Sequence, residues 1–367
     1  MKQHLTTDLA EFATLVEGIA ATAQDFVATT NAMRTDSSED GTMLTLDGVR
    51  SDKPAAYPIN DYAHTQIAAR LGIPLQYYRR MQKDAPALLD ANIDKWFNQP
   101  VERRLVRTLN GEVRAFLSDR YQRIDNIDIM GAITPVLREV GKNHPELRVE
   151  SAGITDKKMY LKVVVPTIQY ELQNRQVGDI LQAGFVISNS EVGAGMFSVD
   201  QMLFRLICKN GMIGGERFAR RHLGSRIKTE GTDAGVWSER TQRLDDRTIM
   251  SAAADMVRAA VDETRFIALA TQMDESIKTA PMAQPLKSVE VLAKKHSLTE
   301  DETGLVFQHL VKDSDTNGLG LFGLLNAVTR TSQDVEDYER ATELEALGGT
   351  LLDMESNQWE HLAAGRA

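Results

Sequence analysis

The chain has 367 residues, 42% of them hydrophobic, which is enough apolar material for a sizeable core and more than one packing unit. The formal net charge of −10 argues against indiscriminate binding of nucleic acid by the whole surface. The sequence predicts a cytoplasmic protein without a membrane segment. It has a single cysteine, its N terminus lacks a basic segment followed by an apolar one, and its apolar runs are far shorter than the roughly 20 residues that cross a bilayer.

Residues 1–98 are predicted to form an N-terminal helical region. Helical spacing of apolar residues predicts a first helix over 5–33, and the polar stretch 35–41 predicts a mobile loop before a short strand or hairpin at 42–50. Three helices follow. The first is capped by Asn60 or Asp61 and stopped at Gly72, the second begins near Pro74, and the third covers about 86–97.

Residues 99–230 are predicted to form a β-rich core that carries a basic segment. The dipeptide Asn110-Gly111 separates two apolar runs, which is the strongest short signal for a hairpin. The remaining predictions for this region are a helix at 127–141 and strands at 147–153, 158–165, 182–189 and 196–209.

Residues 231–367 are predicted to be a helical, acidic region, with helices in 238–277, 285–295, 299–312 and 332–361. Residues 229–367 contain 13 basic and 25 acidic residues, so their balance is −12, whereas residues 1–228 have a balance of +2. Because strands and helices are segregated, we expect an α+β fold, with a central antiparallel sheet and hairpin flanked by N-terminal helices and this C-terminal region.

No motif for catalysis, a cofactor or a metal is found in the sequence. There is no phosphate-binding glycine loop. Asp313, Asp315 and Asn317 open like a calcium loop, but Leu324 occupies the twelfth position, so a polar turn between helices is expected. Cys208 lies in a predicted apolar strand and is expected to be a buried structural residue. We therefore expect a binding protein, not an enzyme.

The strongest local anomaly is the basic segment, residues 205–228, which has seven basic residues and one acid. On a strand, Arg205 and Lys209 would share a face. Three glycines would let the backbone approach a phosphate, and Phe218 and His222 could stack on bases. The alternative is a solvated charged loop, or one neutralised by the acidic C-terminal region of the same or a neighbouring subunit.

A second basic run lies on the predicted hairpin and its exit, and the two runs together could build a groove that follows a nucleic-acid backbone without reading sequence. The predicted nucleic-acid-binding residues are Arg103, Arg104, Arg107, Arg120, Tyr121, Arg205, Lys209, Asn210, Arg217, Arg220, Arg221, Arg226 and Lys228.

Two other functions remain open. Residues 65–81 have the pattern of a DNA-reading helix-turn-helix whose second helix ends in Arg79 and Arg80, which would make the protein a sequence-specific regulator. A helical hairpin packed on the core is the alternative for that segment. The basic segment could instead meet an acidic protein surface, and the charge asymmetry would allow head-to-tail association into a homo-oligomer.

Four blocks of sequence resemble a family of phage- and plasmid-encoded proteins, the nine-three-two family of domains of unknown function. They are residues 115–126, 187–199, 205–213 and 323–330. The resemblance implies a mobile-element origin but no activity or catalytic residue. The order of elements from 103 to 209 is also similar to that of phage single-strand annealing recombinases, a likeness of fold alone. We therefore expect a protein that binds single-stranded DNA and supports annealing or recombination without ATP.

Overall fold

The computed structural model describes residues 4–48, 55–173, 178–220 and 239–366, except the side chains of His4, Glu216, Phe218 and residues 239–246. The chain is a mixed α+β protein with antiparallel sheets, as the segregation of its sequence patterns predicts. All the strand ladders of its three described sheets are antiparallel.

The first helix is much shorter than its sequence pattern predicts. Strand β1 (His4–Thr6) precedes α1 (Leu9–Thr22), whose N terminus is capped by the carboxylate of Asp8. Beyond Thr22 the chain turns into strand β2 (Ala23–Thr29), a 3-10 turn (Thr30–Ala32) and strand β3 (Met33–Ser38). The predictions of a helix to residue 33 and a loop at 35–41 were therefore wrong.

The N lobe, residues 23–118, packs three helices on two small sheets. Its sheets have the orders β2-β6-β7 and β3-β4-β5. The other elements of the lobe are β4 (Gly41–Leu46), β5 (Ala55–Pro58), α2 (Asp61–Leu71), α3 (Leu75–Asp84), α4 (Pro86–Phe97), β6 (Arg103–Leu109) and β7 (Glu112–Ser118). The helix boundaries are as predicted, with Asn60 capping α2 and Gly72 ending it at φ 68°. The predicted hairpin is also present, since Asn110 and Gly111 both have positive φ in its turn.

The main lobe contains β1, α1 and the described residues after 118. Its six-stranded sheet has the order β1-β8-β9-β10-β11-β12. The elements are α5 (Asn126–Asn143), β8 (Arg148–Ile154), β9 (Met159–Glu171), β10 (Ile180–Asn189), β11 (Phe197–Arg205) and β12 (Asn210–Arg220). Strand β12 lies in the basic segment beyond residue 209, where no strand was predicted from the sequence.

Helices follow to the end of the described chain, as predicted. They are α6 (Glu239–Ala260), α7 (Glu263–Ser276), α8 (Pro285–His296), α9 (Glu300–Lys312), α10 (Ser314–Asn317), α11 (Leu321–Thr331), α12 (Tyr338–Leu352) and α13 (Ser356–Ala363). Within the described ranges, none of the helices combines the length and the apolar character needed to cross a bilayer.

Alternating residues of the large sheet face two different partners. One face, with Val163 and Phe185, packs in an apolar cluster with α5, α6 and α7. Helix α12 crosses the opposite face, where Tyr338 packs against Tyr160. The N lobe has a separate apolar cluster made only of its own residues. The two lobes therefore have separate apolar cores, and hydrogen bonds connect one lobe to the other.

Candidate nucleic-acid interface

The arginines in the middle of the β6–β7 hairpin face inward. Arg107 is 2% exposed, and its guanidinium donates hydrogen bonds to Asp25 at 2.8 Å, to Asp125 at 2.7 Å and to the carbonyl of Glu191 at 2.9 Å. Burial lowers the pKa of Arg107, but the carboxylates of Asp125 and Asp25 outweigh that effect and raise it overall. Three acceptors inside the protein therefore engage this predicted phosphate ligand.

Arg104 is also buried. It pairs with Glu102, and its guanidinium carbon lies 5.9 Å from the centre of the Phe116 ring. Arg103 at the start of β6 and Arg120 just after β7 are exposed. These two predicted site residues therefore lie at the end of the hairpin opposite its turn. Tyr121 is half-buried, and its hydroxyl donates to the carbonyl of Ser190 at 2.8 Å.

Arg205 is held in a buried cluster. It is 2% exposed, and it donates to both carboxylate oxygens of Asp179, at 2.7 and 2.5 Å. It also donates to Asn326 at 2.9 Å, and its guanidinium carbon lies 5.0 Å from the centre of the Phe322 ring. The prediction that Arg205 shares a strand face with Lys209 was wrong, because β11 ends at Arg205 and residues 206–209 form a turn.

Two more predicted site residues lie at this turn. Lys209 is exposed, with a φ of 51°, and Asn210 is 4% exposed and donates to the hydroxyl of Thr329 at 2.5 Å. Cys208 is in the same turn and half-exposed, so the prediction that it is buried in a strand was wrong. The far end of β12 is about 33 Å from this turn at the usual rise of a strand. Lys209 is therefore remote from Arg220.

The other exposed basic residues of the segment that the structure describes lie at the far end of β12, which is the edge strand of the large sheet. Arg217 keeps 57% of its side chain exposed while pairing with Asp200 at 3.1 Å, and Arg220 is also exposed. Burial raises the pKa of Asp200, a shift that the hydroxyl of Ser198 and the charge of Arg217 partly offset. Arg221, Arg226 and Lys228 lie outside the described residues, as does the side chain of Phe218 and the whole of His222.

Gly214 of the basic segment allows helix α12 to pack closely against β12. A Cβ on Gly214 would lie 2.9 Å from the Cα of Gly349, and one on Gly349 would lie 2.1 Å from the carbonyl oxygen of Ile213. Gly215 has a φ of 81° and faces Gln201 and Leu269. The close approach at Gly214 is thus to a helix of the same chain, and the prediction of a backbone opened for phosphate is wrong there.

No chemical role was identified from the sequence for the loop through which the two lobes contact each other. Residues 190–196 connect β10 to β11, and the carboxylate of Glu191 accepts hydrogen bonds from Arg114 at 2.7 Å and from the backbone N–H of Asn126 at 2.8 Å. Gln66 of α2 donates to the carbonyl of Val192 at 2.7 Å. The only hint was a polar block, Asn-Ser-Glu, between two apolar runs.

A buried ion pair under α12 was also missed. Nζ of Lys162 lies 2.6 Å from Glu345, and both residues are less than 10% exposed. Burial raises the pKa of Glu345, and Lys162 opposes that shift. Nζ also lies 4.8 Å from the centre of the Tyr338 ring, whose hydroxyl is 2.7 Å from that of Ser151. The sequence feature that could have indicated this ion pair was Lys162, a charged residue inside the apolar run of β9.

The helical pair predicted as a DNA reader is present as α2, a turn and α3. Tyr78 is fully buried, and its hydroxyl lies 2.9 Å from Nδ1 of His64. Arg79 is held by Asp61, and Arg80 is near Asp84. This packing agrees with the alternative of a helical hairpin packed on the core, and DNA reading by α3 stays a prediction.

The calcium-loop-like segment forms the short helix α10 and its flanks. Asp313 pairs with Arg330, and the side-chain oxygen of Asn317 accepts from Arg205 at 3.2 Å. Among the described residues, no group of three or more histidine, cysteine, aspartate or glutamate side chains is arranged to hold a metal ion.

Comparison with known proteins identifies the family. A family model described as "Domain of unknown function (DUF932)" matches residues 114–351, nearly two thirds of the chain. The chain belongs to the DUF932 family. No curated protein and no solved structure matches it. The DUF932 match begins in β7 and ends in α12, so it contains the 190–196 loop, the whole of β12 and the ion pair of Lys162 with Glu345.

Proposed function

We propose that this DUF932 protein binds single-stranded nucleic acid without reading its sequence, and that this binding supports annealing or recombination on a mobile element without ATP. The observation that carries the proposal is the gathering of basic side chains, all of them exposed except the half-buried Lys158, around the 190–196 loop. These residues come from three separate parts of the chain, which is how a surface for a polyanion is built.

The strand registers bring these residues together. Arg220 pairs with Phe197, the first residue after the loop, and Arg217 pairs with Asp200. Tyr121, next to Arg120, donates to Ser190 inside the loop. On the other side, the hydroxyl of Ser190 donates to the carbonyl of Lys157 at 2.8 Å. The basic rim is defined as Arg120, Lys157, Lys158, Arg217 and Arg220.

The chemistry of the basic rim supports contact with phosphates more than with bases. Arginine and lysine at an exposed edge bind a charged backbone of any sequence, and each phosphate contact releases counterions. The buried arginines Arg104, Arg107 and Arg205 do not belong to the rim, because their guanidinium groups contact groups within the protein. The proposal therefore rests on fewer residues than the sequence predicted.

The test is the double variant Arg217→Ala/Arg220→Ala, measured by fluorescence anisotropy with labelled oligo-dT over a series of salt concentrations. Each lost phosphate contact should flatten the dependence of log affinity on log salt by roughly 0.7, so two contacts should change it by about 1.4. Duplexes of unrelated sequence should lose affinity to a similar degree. The matched control is Arg138→Ala/Lys142→Ala on α5, two exposed basic residues about three or more helical turns beyond Asn126, where α5 contacts the loop.

A charged edge strand also has a second explanation, since such charges prevent edge-to-edge pairing of sheets. Light scattering of the same variant distinguishes the two roles. If the variant associates into larger particles while its affinity for oligo-dT and its salt dependence equal those of the unmodified protein, the arginines protect the edge and the proposal is rejected.

A further inference from the structure

The contact between the lobes is polar and is made largely by a loop. Gln66, Arg107 and Arg114 of the N lobe all donate hydrogen bonds to the 190–196 loop. The apolar clusters of the two lobes share no residue. A polar contact of this kind can be hydrated when it separates, and relative motion of the two units is then the ordinary expectation.

The two places where the chain crosses between the lobes lie at one end of this contact. The chain enters the N lobe at Ala23 and leaves it before α5, whose N-cap is Asp125. Arg107 bonds to Asp125 and to Asp25, two residues after the first crossing. The buried guanidinium therefore lies between the two crossings, which is where an axis of rotation would pass with least disturbance of the chain.

Away from that pivot, weaker contacts close the other side. Lys157 of the β8–β9 turn lies over the ring of Tyr62 on α2, with Nζ 5.9 Å from its centre. Lys158 pairs with Glu339 at 2.9 Å, and Lys157 is 3.9 Å from the same carboxylate. Tyr62 is half-buried and Lys157 keeps 47% of its side chain exposed. The seam is defined as the contact of α2 with this turn and with the 190–196 loop.

We propose that the seam opens by rotation of the N lobe about Arg107 and takes up one single strand of nucleic acid. A base stacks on the face of Tyr62 that Lys157 covers in the closed form, and phosphates replace Glu339 as the partners of Lys157 and Lys158. This inference rests on the proposed function and names where the strand lies.

Three features favour a single strand in this position. The hydrogen bond from Gln66 to the carbonyl of Val192 leaves groups that water can satisfy when it breaks. A tyrosine face stacks on any base, which suits binding without sequence readout. The two lysines belong to the basic rim, so a strand that leaves the seam continues along surface that already attracts phosphates.

The test is a reversible cross-link across the seam. In a Cys208→Ser background, Gln66→Cys and Ala194→Cys are joined by a short thiol-reactive linker with a cleavable bond, which holds the seam closed without changing Tyr62, Lys157 or Lys158. Glu139→Cys and Arg258→Cys, which replace an exposed α5–α6 ion pair within the main lobe, are the control. Oligo-dT binding is measured before linking, after linking and after cleavage.

We expect the seam-linked protein to lose at least about tenfold in affinity and to regain it on cleavage, while the control pair changes nothing. Tyr62→Leu should weaken binding, and Tyr62→Phe should restore it, because the ring face is kept. If the linked protein binds oligo-dT as tightly as the unlinked one, the seam is not the site, although the proposed function stands. If the unmodified protein does not bind oligo-dT at all, both proposals fall.

Discussion

Replacing Asp179 with alanine should destabilise the main lobe strongly, because it leaves the guanidinium of Arg205 buried without its charged partner. Asp179 is fully buried and accepts two hydrogen bonds from Arg205, which is itself 2% exposed. Removing one member of a buried ion pair costs about 3–5 kcal/mol. Asn326 still accepts from Arg205 at 2.9 Å in the variant, so we expect a loss near the lower limit, about 3 kcal/mol.

Urea unfolding followed by circular dichroism measures this loss as a lower midpoint, and Asp179→Asn should lose less because it keeps one acceptor oxygen. The double variant Arg205→Met/Asp179→Leu should recover most of the stability, since an apolar pair can replace a buried ion pair. A loss below about 1 kcal/mol in Asp179→Ala, together with a flatter salt dependence of oligo-dT binding in Arg205→Met, would show that Arg205 contacts phosphates and that the buried cluster is incorrect.

Three further predictions concern other parts of the structure. Burial, and then Arg79, lowers the pKa of His64 from 6.5 to about 4, so the unfolded chain takes up the proton first. Neutral His64 contributes about 3 kcal/mol to the free energy of unfolding, which is fully present above pH 6.5 and is lost as the pH falls towards 4. In His64→Gln the urea midpoint should therefore depend less on pH over that range. Gly349→Ala should destabilise by about 1–3 kcal/mol because its Cβ meets the carbonyl of Ile213, whereas Gly304→Ala, which meets nothing within 4 Å, should stabilise slightly in thermal unfolding. Glu339→Gln should tighten oligo-dT binding about two- to fivefold by releasing Lys157 and Lys158, and unchanged affinity would place the nucleic acid elsewhere.

The sequence predicted those elements whose signals are local. The turn at Asn110-Gly111, the cap at Asn60 and the stop at Gly72 all depend on the conformations of a few neighbouring residues, and the structure has each of them. The apolar runs of β9 and β10 were equally clear, because strands buried on both faces are continuous in their hydrophobicity. These signals were sufficient for the α+β class.

Elements that depend on distant partners were not predicted. Strand β2 continues the helical pattern of α1, and it becomes a strand because residues 23–29 pair with β6, about eighty positions later. Strand β12 is rich in glycine, which disfavours strands, and it is stabilised by pairing with β11 and by α12 packed against Gly214. In both places tertiary contacts override the local preference.

The candidate site shows the same limit. Buried and exposed arginines in the two basic runs could not be distinguished from the sequence. Arg107 contacts Asp25 and Asp125 inside the protein, whereas Arg217 lies on an edge strand. The carboxylates that hold Arg107 belong to other elements, Asp25 to β2 and Asp125 to the N-cap of α5. Burial could have been predicted for Arg107 from its place within an apolar strand, but its acceptors could not.

The blocks that relate this chain to its family contain the polar residues that hold the fold together. Asn189 and Glu191 bind the start of α5, Asn210 donates to Thr329, and Asn326 accepts from Arg205. Each of these side chains is buried, so the blocks contain the residues that connect the large sheet to α5 and α11. A binding function must then come from side chains that the structure leaves accessible. Most side chains of the basic rim meet that condition, and they lie around the 190–196 loop, which falls within one of these blocks.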